Sequence, residues 1–240
     1  MKKMLYELLV PLWLVLVVIS GCSDDNNPTD PADPTDPAGT VTYIDGNVYH
    51  TVTIGDQVWM AENLNVTRYR NGDSIPNVTL GSWGLQASGA RCSYNNDPGN
   101  NVVMGMLYNN YAATDSRKIA PSGWHVANDS DWQTLLGYLG GEHIAGGKLK
   151  EAGYDNWLEP NTGATNESGF TALPSGGLLR DTYFEGIGTH CFYWSSSLSI
   201  GGLFSDTVGN YLVLFYNSKN VTRMHETGRK YGLAVRCVKD

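Results

Sequence analysis

Four prolines at three-residue spacing, Pro28, Pro31, Pro34 and Pro37, limit where this chain can fold. Each fixes φ and lacks a backbone N–H. Only Thr, Asp and Ala lie between them, so the segment has no apolar side chain to give to a core. Such a stretch favours extended polyproline II at ~3.1 Å per residue, a semi-rigid stalk of roughly 35–40 Å. Asp24, Asp25, Asp30, Asp33 and Asp36 repel one another and keep it solvated. Globular structure is therefore expected from about residue 39 to Asp240, enough for one domain with a sizeable core.

The residues before the stalk have the anatomy of an export signal. Lys2 and Lys3 precede an apolar run from Leu8 to Ile19, which ends in Ser20-Gly21-Cys22. About 12 apolar residues at 1.5 Å each reach ~18 Å, short of the ~30 Å hydrocarbon core, which argues against a membrane span. Val18-Ile19-Ser20-Gly21-Cys22 resembles a bacterial lipobox. That resemblance implies removal of residues 1–21 and a diacylglyceryl group on the thiol of Cys22, and 22–38 then becomes a lipidated stalk. Ser23-Asp24-Asp25 is similar to the surface-export signal of Bacteroidetes lipoproteins, so the expected location is the outer membrane, facing outward. Loss of residues 1–21 moves the formal charge from -8 to -9, and five of those charges lie in the stalk. The folded part is mildly acidic with no Lys/Arg cluster, which removes the electrostatic basis for nucleic-acid binding.

The remaining chain is rich in Gly, Asn, Ser and Tyr and poor in helical periodicity, which predicts short strands and long loops. Val41–Ile44 and Val48–Ile54 flank Asp45-Gly46-Asn47 and read as a hairpin. Gln57–Ala61 reads as a third strand, and residues 63–101 as mostly turns. Leu107–Ala113 reads as a short helix or strand. Asn128 to Asp131 offer N-caps before Trp132, Leu135, Leu136 and Leu139, the clearest amphipathic helix, ended by Gly140-Gly141. A second short helix is expected over Ile144–Ala152. Phe192–Ser197, Tyr211–Tyr216 and Gly232–Val238 read as strands. The expected class is α+β, with two helices on a small antiparallel sheet and long loops on one side.

Five ordered blocks carry a resemblance: Ile54 to Leu64, Pro121 to Val126 with Asp131-Trp132, Ser168 to Gly177, Tyr193 to Ser197, and Val235 to Asp240. Together they resemble the family named for the major paralogous domain of Fibrobacter succinogenes, over essentially residues 39–240. That family is found on secreted or lipid-anchored proteins, and the resemblance brings no established activity. Gly123-Trp124-His125-Val126 before a capped helix is more distantly similar to the formylglycine-generating sulfatase-modifying family. That likeness implies a C-type-lectin-like fold with its terminal strands together.

The distant relative catalyses with paired thiols, but Cys92, Cys191 and Cys237 include no close pair, and the five histidines lack metal-ligand spacing. No cofactor or metal is implied, and an enzyme is not expected. Glu159-Pro160-Asn161 coincides with the sugar-binding tripeptide of mannose-type C-type lectins, but Trp194-Ser195-Ser196 lacks the companion carboxylate. Sugar binding without metal is the stronger reading. Trp83, Tyr94, Tyr154, Trp157 and Tyr183 fall in loop-like regions among Asn and Asp, where exposed rings would stack on pyranoses and polar groups take hydroxyls. Trp59, Trp124, Trp132 and Trp194, inside the recurring blocks, are expected in the core. Export permits disulfides, and three thiols leave one unpaired. Relatives commonly carry a Cys where this chain has Ala120, and a second downstream of Cys92. Cys191 is left free to pair with either Cys92 or Cys237. The expected role is a lipid-anchored binding domain for glycan or another surface partner, the alternative being a structural or adhesive envelope component that binds protein.

Overall fold

A computed structural model describes residues 39–179, 183–201 and 206–240. Cys22, its lipobox and the stalk to Pro37 lie outside them. The described residues belong to one unit. Among them no helix is long and apolar enough to cross a membrane.

The order is β1 (Thr40–Thr42), β2 (Val48–Ile54), β3 (Gln57–Met60), β4 (Arg91–Cys92), β5 (Leu107–Tyr108), β6 (Trp124–Val126), then helices α1 (Asp129–Tyr138) and α2 (Glu142–Leu149). After them come β7 (Ser175–Leu179), β8 (Tyr183–Ile187), β9 (His190–Gly201), β10 (Asp206–Phe215), β11 (Val221–Thr227) and β12 (Cys237–Lys239). The class is α+β, mostly strands in antiparallel sheets with few helices. One five-stranded sheet runs β1-β2-β3-β12-β6 and another β11-β10-β9-β7-β8, with β4-β5 as a small pair.

Local chemistry explains the first elements. Gly46 takes φ 87° in the turn between β1 and β2, where its N–H donates to Tyr43 O at 2.9 Å. Asn128 caps α1: its Oδ1 accepts from Ser130 N at 2.8 Å and Asp131 N at 3.1 Å, while the Asp131 carboxylate accepts from Asn128 N at 2.8 Å. That is a capping box. Trp132, Leu135, Leu136 and Leu139 then lie buried, as their spacing predicts.

Three expectations need correcting. In place of one small sheet there are two five-stranded sheets and the β4–β5 pair, with β7, β8 and β11 extending the second by pairing with neighbours close in the chain. Gly232–Val238 is not one strand: Gly232, Leu233 and Ala234 make single bridges to Leu178, Tyr108 and Tyr193 before β12 joins the other sheet between β3 and β6. The 63–101 stretch also holds a helical turn, Leu80–Trp83, besides β4.

Aromatic side chains fill the space under α1. Trp59 and Trp132 sit 4.9 Å apart, and Tyr193 stacks on Trp132 at 5.6 Å. Arg236 is fully buried against them, 4.2 Å over the Phe170 ring. Its guanidinium donates to Met60 O at 2.9 Å, Phe170 O at 2.6 Å and Asn63 Oδ1 at 2.8 Å. The four block tryptophans Trp59, Trp124, Trp132 and Trp194 are buried, as expected.

Candidate functional site

The Asn-rich stretch after β3 builds a concavity of about 130 Å³ against the β1–β2 turn. Glu62 leaves the strand first, and its carboxylate accepts from His50 N at 2.9 Å and faces His50 Nδ1 at 2.6 Å. Asn63 turns inward, donating to Met104 O at 2.8 Å and accepting from Arg236, so the floor is tied to the buried guanidinium. Asn65 N donates to Tyr49 Oη at 3.0 Å, and Asn65 O accepts from Asn47 Nδ2 at 2.6 Å. Asn101 opens the helical turn Asn101–Met104 and donates to Ser93 Oγ at 2.9 Å. Gly105 closes that turn at φ 74°, and a Cβ there would lie 2.7 Å from Cβ of Asn63. Only glycine lets the two segments meet.

Two atoms here stand out. Oδ1 of Asn65 and Oδ1 of Asn101 are buried and have no hydrogen-bond partner among the described residues. Both residues line the same concavity, and Asn101 keeps only 8 % exposure. An unsatisfied buried acceptor costs ~1–3 kcal/mol, so two beside one concavity call for a donor from outside the chain. Val48, Val102 and Val103 are exposed around the rim at 55 %, 83 % and 52 %. The concavity therefore combines asparagine side chains in its wall, two of them with shielded, unpartnered oxygens, with apolar surface at its edge.

Elsewhere the expected ligand residues disperse. Trp83, Tyr94 and Trp157 are buried and correct the loop-aromatic reading. Trp83 Nε1 donates to Lys230 O, Tyr94 packs 5.2 Å from Phe184, and Trp157 Nε1 donates to Ala172 O at 2.9 Å. Tyr154 and Tyr183 are exposed. In the lectin-like tripeptide the Glu159–Pro160 peptide is cis and Glu159 is exposed. Asn161, however, is buried with its amide donating to Glu151 O and Gly153 O, which withdraws it from a solvent-side chelate. No group of three His, Cys, Asp or Glu able to hold a metal exists among the described residues.

The cysteines also require correction. Cys92, Cys191 and Cys237 are all free and buried, and each belongs to a different cluster of the core, so none pairs. Burial pushes the Cys191 thiol up to about 11 and Cys237 up to about 12, with Cys92 also raised. A buried thiol held protonated is a poor nucleophile.

Another cluster of ionisable groups is a clamp. His125 on β6 faces Asp131 at 2.9 Å through Nε2 and Asp240 at 2.7 Å through Nδ1. It joins the cap of α1 to the residue after β12, and both ring nitrogens are occupied. The sequence reading missed Glu62, Asn65 and Asn101. Their one local signal was asparagine density in a stretch read as turns.

The profile of a family described as the Fibrobacter succinogenes major domain matches residues 52–239. No curated protein and no solved structure matches the chain.

Proposed function

The chain belongs to the Fibrobacter succinogenes major domain family, and from that premise we propose that it is a non-catalytic binding module for hydroxyl-rich ligands, glycans foremost. The observation that carries this reading is that Asn65 and Asn101, each with a buried, unpartnered amide oxygen, line one concavity together with Glu62. Sugar hydroxyls donate to such acceptors, and the C–H faces of a ring lie against valine surface such as Val48, Val102 and Val103. A lipid on Cys22 holds the module at the outer membrane with the Pro/Asp stalk directing it outward; the lipobox and stalk composition support this. A C-type-lectin-like architecture belongs to the same reading, supported by β12 near the C-terminus pairing with β3 near the start of the domain.

A second reading, an adhesive envelope component that binds protein, is favoured by Leu198 and Ile200, exposed two residues apart on β9. An oxidase related to the formylglycine family is disfavoured by the separated, buried thiols.

The test is a glycan array probed with the full chain in detergent, with and without Ca²⁺. Expected is binding of neutral sugars that needs no Ca²⁺ and falls about tenfold in Asn101→Ala, while the urea midpoint of that variant holds, because an unpaired acceptor is removed with the side chain. No glycan binding, or binding indifferent to Asn65→Ala and Asn101→Ala, would sink the proposal.

A further inference from the structure

A second concavity, of about 380 Å³, is lined by Tyr111, Thr207, Val208 and the segment Gly228-Arg229-Lys230-Tyr231. Its chemistry is the reverse of the asparagine site. Arg229 is fixed in place: Nε donates to Asn110 Oδ1 at 2.9 Å, Nη2 donates to Thr114 Oγ1 at 2.9 Å, and the guanidinium lies 4.3 Å over the Tyr111 ring. Those bonds use two of its five N–H donors. Lys230 donates one hydrogen to Gly84 O at 2.6 Å and has two more. Among the described side chains, which do not include those of residues 202–206, 226 and 227, neither cation has a carboxylate within ion-pair distance, in a fold whose overall charge is acidic. Asn110, which positions Arg229, is itself fully buried, and its Nδ2 has no partner among the described residues.

A preorganised guanidinium, a nearby ammonium and two flanking tyrosines select a particular ligand. The guanidinium fork matches the two oxygens of a carboxylate, and its orientation is already set by Asn110, Thr114 and Tyr111, so little entropy is lost on binding. Tyr231 packs 6.4 Å from Tyr211 and carries the other wall. Aromatic walls suit the C–H face of a sugar ring. We infer that this concavity is a second binding site, for a saccharide unit bearing a carboxylate, with Arg229 and Lys230 taking the acid group and Tyr111 and Tyr231 bounding the ring. It shares no lining residue with the asparagine concavity.

The experiment titrates glucuronate into the full chain in detergent micelles by calorimetry, with glucose and inorganic phosphate as parallel probes. Glucuronate is expected to bind about tenfold more tightly than either probe and to weaken severalfold between low and physiological salt, as screened charge pairs do. Arg229→Gln should abolish binding. That change also cuts the brace to Asn110 and Thr114, so Lys230→Gln and Tyr111→Leu supply independent variants, each expected to weaken binding about three- to tenfold. Phosphate equal to glucuronate would reduce the site to a plain anion contact, and glucose equal to glucuronate would remove the role of charge; either overturns the inference. So would unchanged binding in Lys230→Gln. Asn101→Ala should leave glucuronate binding intact, and loss there would assign the ligand to the other concavity.

Discussion

At the scale of single residues, the core is organised by a cation with no counter-ion among the described residues. Arg236 satisfies its charge with the carbonyls of Met60 and Phe170, the Asn63 amide oxygen and Tyr193 Oη at 3.0 Å. Removing it strands several buried acceptors at once, each costing ~1–3 kcal/mol. Arg236→Met should therefore lower stability by about 3 kcal/mol or more, and Arg236→Lys should not rescue it, because the ammonium cannot reproduce the fork. A fall in urea midpoint worth less than ~1 kcal/mol in Arg236→Met would contradict this. The buried thiols set a second expectation. In the unfolded chain they ionise near ~8.5, whereas burial holds all three protonated well above that in the fold. Above pH ~9 the unfolded state therefore binds fewer protons, and stability falls as pH rises. Lys150 opposes them. Burial lowers its amine to about 8 from an ordinary 10.5, so the fold releases a proton that the unfolded chain keeps, and its contribution rises with pH. Near pH 9 three thiols against one amine leave between one and two protons, and towards pH 10 the hydroxyls of Tyr43, Tyr49, Tyr108 and Tyr193, also raised by burial, add to the same side. The loss is on the order of 2–3 kcal/mol per pH unit and steepens as pH rises. Urea midpoints measured under reductant at pH 7.5, 9 and 10 check this; a flat profile would refute it.

At the scale of elements, what could be read from sequence was what is decided locally. The helix α1 carries its cap at Asn128 and its apolar stripe within a dozen residues, and the Asp-Gly turn likewise announces β1 and β2. The expected second helix, 144–152, forms as α2 over Glu142–Leu149, two to three residues earlier at each end, and carries two glycines in its interior. A Cβ on Gly147 would stand 2.3 Å from Gly163 O, and one on Gly146 2.6 Å from Asn220 O. These glycines answer to backbone that follows much later in the chain, so nothing near them in sequence reveals their purpose. Gly→Ala inside a helix ordinarily stabilises by ~1 kcal/mol. Here Gly147→Ala should do the opposite and destabilise by ~1–3 kcal/mol, since the clash is with backbone and not a yielding side chain. Thermal denaturation of the variant decides the sign, and a raised midpoint would refute the packing argument. The same distinction governs the sites. Trp83 and Trp157 looked available because their neighbours are polar, yet burial is set by distant segments. Asn65 and Asn101 line one concavity only because the β1–β2 turn packs beside the 101–105 turn.

At the scale of the whole molecule, the two ends of the domain hold each other. β12 lies between β3 and β6 in its sheet, pairing Val238 with Trp59 on one side and Cys237, Val238 and Lys239 with Val126, His125 and Trp124 on the other. Without it β6 has no neighbour in that sheet, because β3 and β6 do not pair directly. The residue beyond it is held as well: Asp240 N donates to Gly123 O at 2.9 Å and its carboxylate meets His125. Just before β12, Leu233 and Ala234 bridge to β5 and β9, so the same stretch crosses from one sheet to the other. The segment from Leu233 to Lys239 thus ties strands of both sheets together. Deleting residues 237–240 should cost far more than a frayed terminus usually does, since it removes an internal strand and the clamp on α1 together. The expected product keeps much of its far-ultraviolet circular dichroism but loses the near-ultraviolet signal of its packed tryptophans, as a state with strands and without fixed packing does. Asp240→Ala alone, which cuts one contact of the clamp and leaves the strand, should shift the urea midpoint by ~1 kcal/mol or less. If the deletion behaved no worse than Asp240→Ala, β12 would be an accessory edge, and the domain would be closed by β1, β2 and β3 without it.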